Sequence, residues 1–279
     1  MTIGARTGLR SATLVGGILL LVGFGGFGVK FLERLMIYYP LGEHDFPTPD
    51  APVTPDDVFW TAKDGVRTHG WFLRHPESRK VLVYFHGNAG SISGRFPWAV
   101  QLMNAGTSVL MVEYRGYGRS EGEPDEKGFY LDAVAVWEWL NTTMNYLPSD
   151  IILYGKSLGG GPASELALRY QPGALILQST FTSIPDMATR VVPMVPKFLI
   201  QTQFDTHGKL ASIGAPTLII HSRDDEIVPF DHSVANAQVA KNLRTHLVFE
   251  GYGHNTLVAG AGDRIVDAIR RLVHGDDAL

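Results

Sequence analysis

The sequence is 279 residues long and 45% hydrophobic, a size and composition suited to one large α/β domain rather than two. Its 24 Lys and Arg against 28 Asp and Glu give a formal net charge of −4 with no basic block, which removes the electrostatic footprint of a nucleic-acid binder. Cysteine is absent, so disulfides, thiolate zinc sites and a cysteine nucleophile are excluded.

Along the chain, the first anomaly is the uncharged apolar run Ser11 to Val29, which follows Arg6 and Arg10. As a helix it rises about 28 Å, close to the thickness of a bilayer core. A cleaved signal peptide shares the basic start and apolar stretch. No A-x-A site follows, however, and the run continues into Lys30-Phe31-Leu32-Glu33-Arg34, so an uncleaved single-pass anchor in a lipid bilayer is expected over residues 1–35. Arg6 and Arg10 balance Lys30 and Arg34. The flanking charges therefore leave the membrane side open, with an extracytoplasmic catalytic domain as the expectation. Residues 36–56 read as a connector in which Pro47, Pro49 and Pro52 disfavour helix.

The remaining residues, 57–279, read as one catalytic domain. Val58–Ala62 and His69–Arg74 alternate with period two around Lys63-Asp64-Gly65, the pattern of a hairpin. Continuous apolar runs follow at Val81–Phe85, Val109–Val112, Ile151–Tyr154, Ala174–Leu177, Thr217–Ile220 and His246–Phe249. Helical patterns separate them: Phe96–Asn104, Lys127–Asn141, Leu158–Tyr170, Ser233–Lys241 and Arg264–Val273. Uniformly apolar strands alternating with helices predict a mostly parallel sheet covered on both faces. With the hairpin that makes eight strands, a count and order that resemble the α/β-hydrolase core.

Two stretches fit G-x-S-x-G. The motif works only as a sharp strand-to-helix turn that lifts the serine hydroxyl above the sheet edge. Ser157 has that context, between the strand Ile151–Tyr154 and the helix Leu158–Tyr170. Ser120 is followed by Glu121-Gly122-Glu123-Pro124 and reads as loop. A phosphate-binding loop ending in Gly155-Lys156-Ser157 fails, because position 150 is Asp and the intervening residues are a strand.

A serine hydroxyl needs a base, and the base needs an acid to hold it. The chain order in this fold is Ser, acid, His. Of the ten histidines only His254 combines that order with a loop at a strand end, Glu250-Gly251-Tyr252-Gly253-His254-Asn255. Asp224, Asp225 and Glu226 all stand after Thr217–Ile220 as candidate acids. A metal site built from His86, His221, Asp225 and His254 is the rival use of these residues, but no two of its histidines show helical zinc-site spacing. The oxyanion hole calls for two backbone N–H groups, assigned to Leu158 after the nucleophile and to Asn88 in the glycine-bearing loop after Val81–Phe85.

Four motifs occur in order: Phe85-His86-Gly87-Asn88-Ala89-Gly90, Tyr114-Arg115-Gly116-Tyr117-Gly118-Arg119-Ser120-Glu121-Gly122, Gly155-Lys156-Ser157-Leu158-Gly159-Gly160 and Thr180-Phe181-Thr182-Ser183-Ile184-Pro185. From about Tyr38 to the C-terminus the chain resembles the membrane-anchored branch of the α/β-hydrolase-domain proteins, numbers thirteen and seventeen and their bacterial relatives. The resemblance places the family pattern H-G-x-x-D-x-x-V-P on His221 to Pro229 and so implies Asp225 as the acid. Ser222 stands here for the usual glycine, and Glu113 for the usual Asp. Some relatives cleave acyl thioesters, which makes lipid-like acyl substrates plausible.

The expectation is ester or thioester hydrolysis by Ser157, His254 and Asp225 without a cofactor. Ser183–Gly208 forms a minimal lid whose apolar members (Val191, Val192, Met194, Val195, Phe198, Leu199 and Ile200) cap an acyl pocket, dip into the membrane beside the anchor, or pack in the core. The rival functions are a serine peptidase on small peptides and a catalytically silent, membrane-tethered binding protein.

Overall fold

The computed structural model describes residues 26–40 and 51–275. The apolar run read as an anchor lies outside these except for Gly26 to Val29, which open helix α1 (Gly26–Ile37). No helix among the described residues is long and apolar enough to cross a membrane. Helix α1 docks on the domain through Arg34, which pairs with Glu123, and through Glu33, which accepts the N–H groups of Gln201 (2.7 Å) and Thr202 (2.9 Å) and the Thr202 hydroxyl (2.7 Å). Beyond α1, Tyr38 is 5% exposed and sets its ring edge-on to Phe129 at 5.3 Å. The stretch read as connector therefore supplies a core residue. Strand β1 (Tyr39–Pro40) then forms a short parallel bridge with β5 (Ala89–Gly90).

The main sheet contains β2 (Asp56–Thr61), β3 (Arg67–Leu73), β4 (Val81–Phe85), β6 (Ser108–Val112), β7 (Ile151–Lys156), β8 (Ala174–Gln178), β9 (Thr217–Ser222) and β10 (Leu243–Phe249). Their order is β10-β9-β8-β7-β4-β6-β3-β2. Only β3 runs antiparallel to its neighbours, so the expected hairpin and the six parallel strands both form. The central strands are buried throughout, which explains why their sequences are continuously apolar rather than alternating. Residues alternate faces along each strand. On β4, Val81, Val83 and Phe85 join one core layer, while Leu82 and Tyr84 join the other.

Helices α3 (Glu126–Glu138), α4 (Gly160–Tyr170), α6 (Thr206–Leu210) and α7 (Phe230–Val239) accompany the first layer, and α2 (Phe96–Leu102) and α8 (Leu257–His274) cover the second. Helix α8 begins seven residues before the expected start at Arg264. Gly260 and Gly262 mask its helical signal, yet Leu257, Ala261, Ile265, Ile269 and Val273 are all buried at four-residue spacing. Tertiary burial of that stripe outweighs the low propensity of two glycines, each costing about 1 kcal/mol relative to alanine.

Between β8 and α6 the short lid contains helix α5 (Ile184–Val191), N-capped by the Ser183 side chain, which accepts the Asp186 N–H. The lid residues divide between pocket and solvent. Val192, Val195, Leu199 and Ile200 line cavities, whereas Val191 (67% exposed), Met194 (80% exposed) and Phe198 (84% exposed) are largely in solvent, which corrects for Phe198 both the pocket cap and the core packing.

Candidate active site

Strand β7 ends at Lys156, and a single 3₁₀ turn, Ser157–Gly159, carries the chain into α4. Ser157 sits at the apex with φ of +52°. A non-glycine residue there costs on the order of 1–3 kcal/mol, which surrounding structure must hold. Gly159 allows the turn to pack, since a β-carbon there would lie 2.1 Å from the Phe85 carbonyl oxygen. The Thr180 hydroxyl donates to the Ser157 carbonyl and braces the turn from β8. The competing Ser120 is used up structurally: its hydroxyl donates to the Glu113 carbonyl (3.2 Å) and accepts the His69 N–H (3.0 Å).

Past the end of β10, Gly251 adopts φ of +80°, which turns the chain so that His254 comes back over the sheet. The ring of His254 meets Asp225 at 2.8 Å (Nδ1 to Oδ2) and 3.0 Å (Nδ1 to Oδ1). The three acidic candidates have separate tasks. Asp225 holds the imidazole, the Glu226 carboxylate accepts the His254 backbone N–H at 2.9 Å, and Asp224 accepts the Gly251 N–H at 2.6 Å. Asp225 Oδ1 also accepts the N–H groups of Ile227 (3.0 Å) and Val228 (2.8 Å), fixing the loop on which it sits. Burial opposes ionisation of Asp225, but contacts with His221 and His254 and the Val228 N–H outweigh it and hold the carboxyl well below the usual carboxylate range.

Ser157, His254, Asn88 and Leu158 line one cavity of about 380 Å³. Among the described residues no hydrogen bond joins Ser157 to His254. Asn88 belongs to a loop pinned at both ends. The Tyr114 hydroxyl donates to the His86 carbonyl (2.7 Å), and the His86 ring bridges the Gly87 carbonyl (2.6 Å) and Glu113 (3.1 Å). Glu113 also accepts the Ile92 N–H at 3.1 Å. His86 is thus engaged with Glu113, and His221 donates its Nε2–H to the Val228 carbonyl at 2.8 Å. Among the described residues no group of three or more His, Cys, Asp or Glu is arranged to hold a metal ion.

Sequence reasoning missed four contributors. Glu226 was legible only as one of three acids. His221, buried 3.4 Å from Asp225, carried the signal of a His and Asp four residues apart. Tyr39 and Tyr117 hold the Asn88 side chain, a pairing across 49 and 29 residues that no local pattern encodes.

The chain that carries this site is similar in sequence and in fold to known proteins. The chain is 32% identical to the α/β-hydrolase domain-containing protein WAV2 of Arabidopsis thaliana, over 76% of this chain and 79% of that protein. It belongs to the α/β-hydrolase-domain family. An uncharacterized protein of Mycobacterium tuberculosis is 36% identical, covering 86% of this chain and 87% of that one. The α/β-hydrolase domain-containing protein 17C of Mus musculus is 34% identical over 72% of this chain and 63% of its own length. A family model described as serine aminopeptidase, S33, matches residues 76–204. Among solved structures, the Pyrococcus furiosus esterase Pf2001 superposes with a TM-score of 0.70 at 19% identity, covering 85% of this chain and 98% of that one, a likeness of fold.

Proposed function

We propose that this α/β-hydrolase cleaves carboxylic esters or thioesters through an acyl-enzyme on Ser157. The observation that carries the reading is the His254–Asp225 contact of 2.8 Å inside the cavity that Ser157 lines. Ser157 Oγ attacks the acyl carbonyl, and its proton passes to His254 Nε2. Asp225 keeps the imidazole in the tautomer with its proton on Nδ1 and stabilises the imidazolium. The backbone N–H groups of Asn88 and Leu158 receive the tetrahedral oxyanion. Collapse expels the alcohol or thiol, which takes the proton from His254. Water, deprotonated by the same base, then releases the acid and restores Ser157.

Apolar walls support an acyl substrate. Met36, Ile37, Ile184, Ala188 and Val192 line the site cavity and also a second, apolar cavity of about 190 Å³ between α1 and the lid. The acyl chain runs from Ser157 toward this groove. Its wall includes the helix that follows the apolar N-terminal run, so we further propose a membrane-anchored enzyme taking acyl substrates near a bilayer. An aminopeptidase would need a carboxylate to seat a free α-amino group. Among the described residues, none of the site-cavity lining carries one, and the charged side chains there are Arg95 and Lys156.

The test is turnover of p-nitrophenyl esters of graded acyl length by wild type and Ser157→Ala, with fluorophosphonate labelling in parallel. Loss of both signals in the variant is expected. Retained turnover in Ser157→Ala would overturn the mechanism, and neither signal in folded wild type would favour the silent binding protein.

A further inference from the structure

Lys156 immediately precedes the nucleophile and lines the site cavity beside Ser157 and His254. It is half-buried, yet among the described residues its ammonium makes no hydrogen bond or ion pair. Neighbouring buried cations elsewhere in the chain are paired: Arg115, for instance, forks onto Asp132 at 2.7 Å and Asp64 at 2.8 Å. The second cation of the cavity, Arg95, has no carboxylate partner among the described residues either. It donates to the carbonyls of Ser91 (2.6 Å) and Ala89 and lies over the oxyanion loop. Two cationic residues therefore line a cavity whose lining, among the described residues, contains no acidic side chain. Removing a cation from water without a counter-charge is unfavourable, and an anion entering the cavity would relieve it. The remaining wall is apolar, from Met36 on α1 to Ile184, Ala188 and Val192 on the lid.

Resting on the hydrolase reading above, we propose that the substrate is an acyl ester whose leaving group carries an anionic oxygen group, a carboxylate or a phosphate. That group seats against Lys156 and Arg95 while the acyl chain follows the apolar wall. Lys156 is then a specificity determinant, and the chemistry at Ser157 is unchanged.

The charge of Lys156 gives the proposal a pH signature. Burial first, and the Arg95 guanidinium second, push its ammonium down to about 8, against an opposing pull from Asp225. Arg95 and Asp225 are the charged groups that act on it, and His254 is the other titratable group lining the cavity. Below about 8 the amine carries its charge. Above that value the preference for an anionic ester declines toward what Arg95 alone supports.

Three octanoate esters of one phenol framework provide the test: 4-(octanoyloxy)benzoate, its methyl ester, and 4-(octanoyloxy)phenyl phosphate. The readout is kcat/KM for each anionic ester divided by that for the neutral one. Wild type is expected to favour the anionic esters about tenfold, the scale of one charge-assisted hydrogen bond. Lys156→Gln is expected to cut the ratio about tenfold, mainly through KM, and Lys156→Arg to keep it, because Arg retains the charge but cannot serve as a base. The benzoate ratio in wild type is expected to fall between pH 7 and pH 9.5. The larger of the two anionic ratios identifies carboxylate or phosphate, and equal ratios mean that charge alone is read.

A wild-type ratio near one, or an equal loss on all three esters in Lys156→Gln, would overturn the proposal and leave Lys156 a structural residue of the turn. Hydrolysis of the neutral ester without charge preference overturns this inference alone. No hydrolysis of any ester by folded protein overturns the hydrolase reading together with it. Fluorophosphonate labelling of both Lys156 variants confirms that the turn is intact.

Discussion

The backbone N–H of Tyr39 donates to the side-chain carbonyl of Asn88 at 3.2 Å, tying the segment after α1 to the loop assigned to the oxyanion. The Tyr117 hydroxyl donates to the same oxygen at 3.3 Å, and the short β1–β5 bridge runs alongside. Asn88→Ala keeps the backbone N–H but frees the loop. A fall in kcat of about tenfold is expected, less than the 10²–10³ for losing an oxyanion donor outright. Kinetics on a short ester, with a thermal melt to show an intact fold, check this. An unchanged kcat would separate the clip from catalysis.

Ser157→Ala and His254→Ala are each expected to reduce ester turnover to the background of the binding cavity. Asp225→Ala should cost about two orders of magnitude less, because the imidazole then retains its base but loses its orientation. Glu226→Ala loosens the His254 backbone, and a smaller loss, about tenfold, is expected. Parallel kcat/KM measurements rank the four, and a ranking with Glu226 above Asp225 would reverse the assigned roles.

Asp225 titrates below its ordinary range in the folded protein. Its contribution to stability is therefore fully present above the unfolded carboxylate value near 4 and is lost as pH falls from there toward the depressed folded value. Comparing melting temperatures of wild type and Asp225→Asn from pH 2.5 to 6 should show a gap that narrows toward acid. A gap independent of pH would remove the linkage.

Arg115 and Asp132 form a buried pair, joined by contacts of 2.7 to 3.1 Å, where the Tyr-Arg-Gly motif meets α3. Arg115→Ala leaves Asp132 buried without its counter-charge, and a loss of about 3–5 kcal/mol in urea unfolding is expected. A loss below 1 kcal/mol would show that water replaces the guanidinium.

Ala188 lines both the site cavity and the apolar groove, whereas Phe198 is exposed. Ala188→Trp is expected to shift the preferred acyl chain to shorter lengths, and Phe198→Ser to leave the length profile as it is. An unshifted profile in Ala188→Trp would place the acyl chain elsewhere.

Much of this was legible in the sequence because it is locally encoded. A strand, a turn that admits φ of +52° at Ser157 and a helix starting on glycines are neighbours in the chain, so Gly155-Lys156-Ser157-Leu158-Gly159 sufficed to locate the turn. Burial on both faces made the parallel strands continuously apolar, and the strand order placed a cluster of three acids and then His254 after Ser157, with Asp225 among the acids implied only by the family resemblance. What only the tertiary structure decided are pairings between distant segments. Asp224, Asp225 and Glu226 are adjacent in sequence, and the arrival of Gly251 to His254 from β10 assigns each its own partner. Tyr39 reaches Asn88 across 49 residues, Phe198 faces solvent beside buried Ile200, and Lys156 lines the cavity with no partner among the described residues. Spacing and periodicity specify the conformation of a segment. Which side chains finally meet depends on how the sheet orders those segments in space.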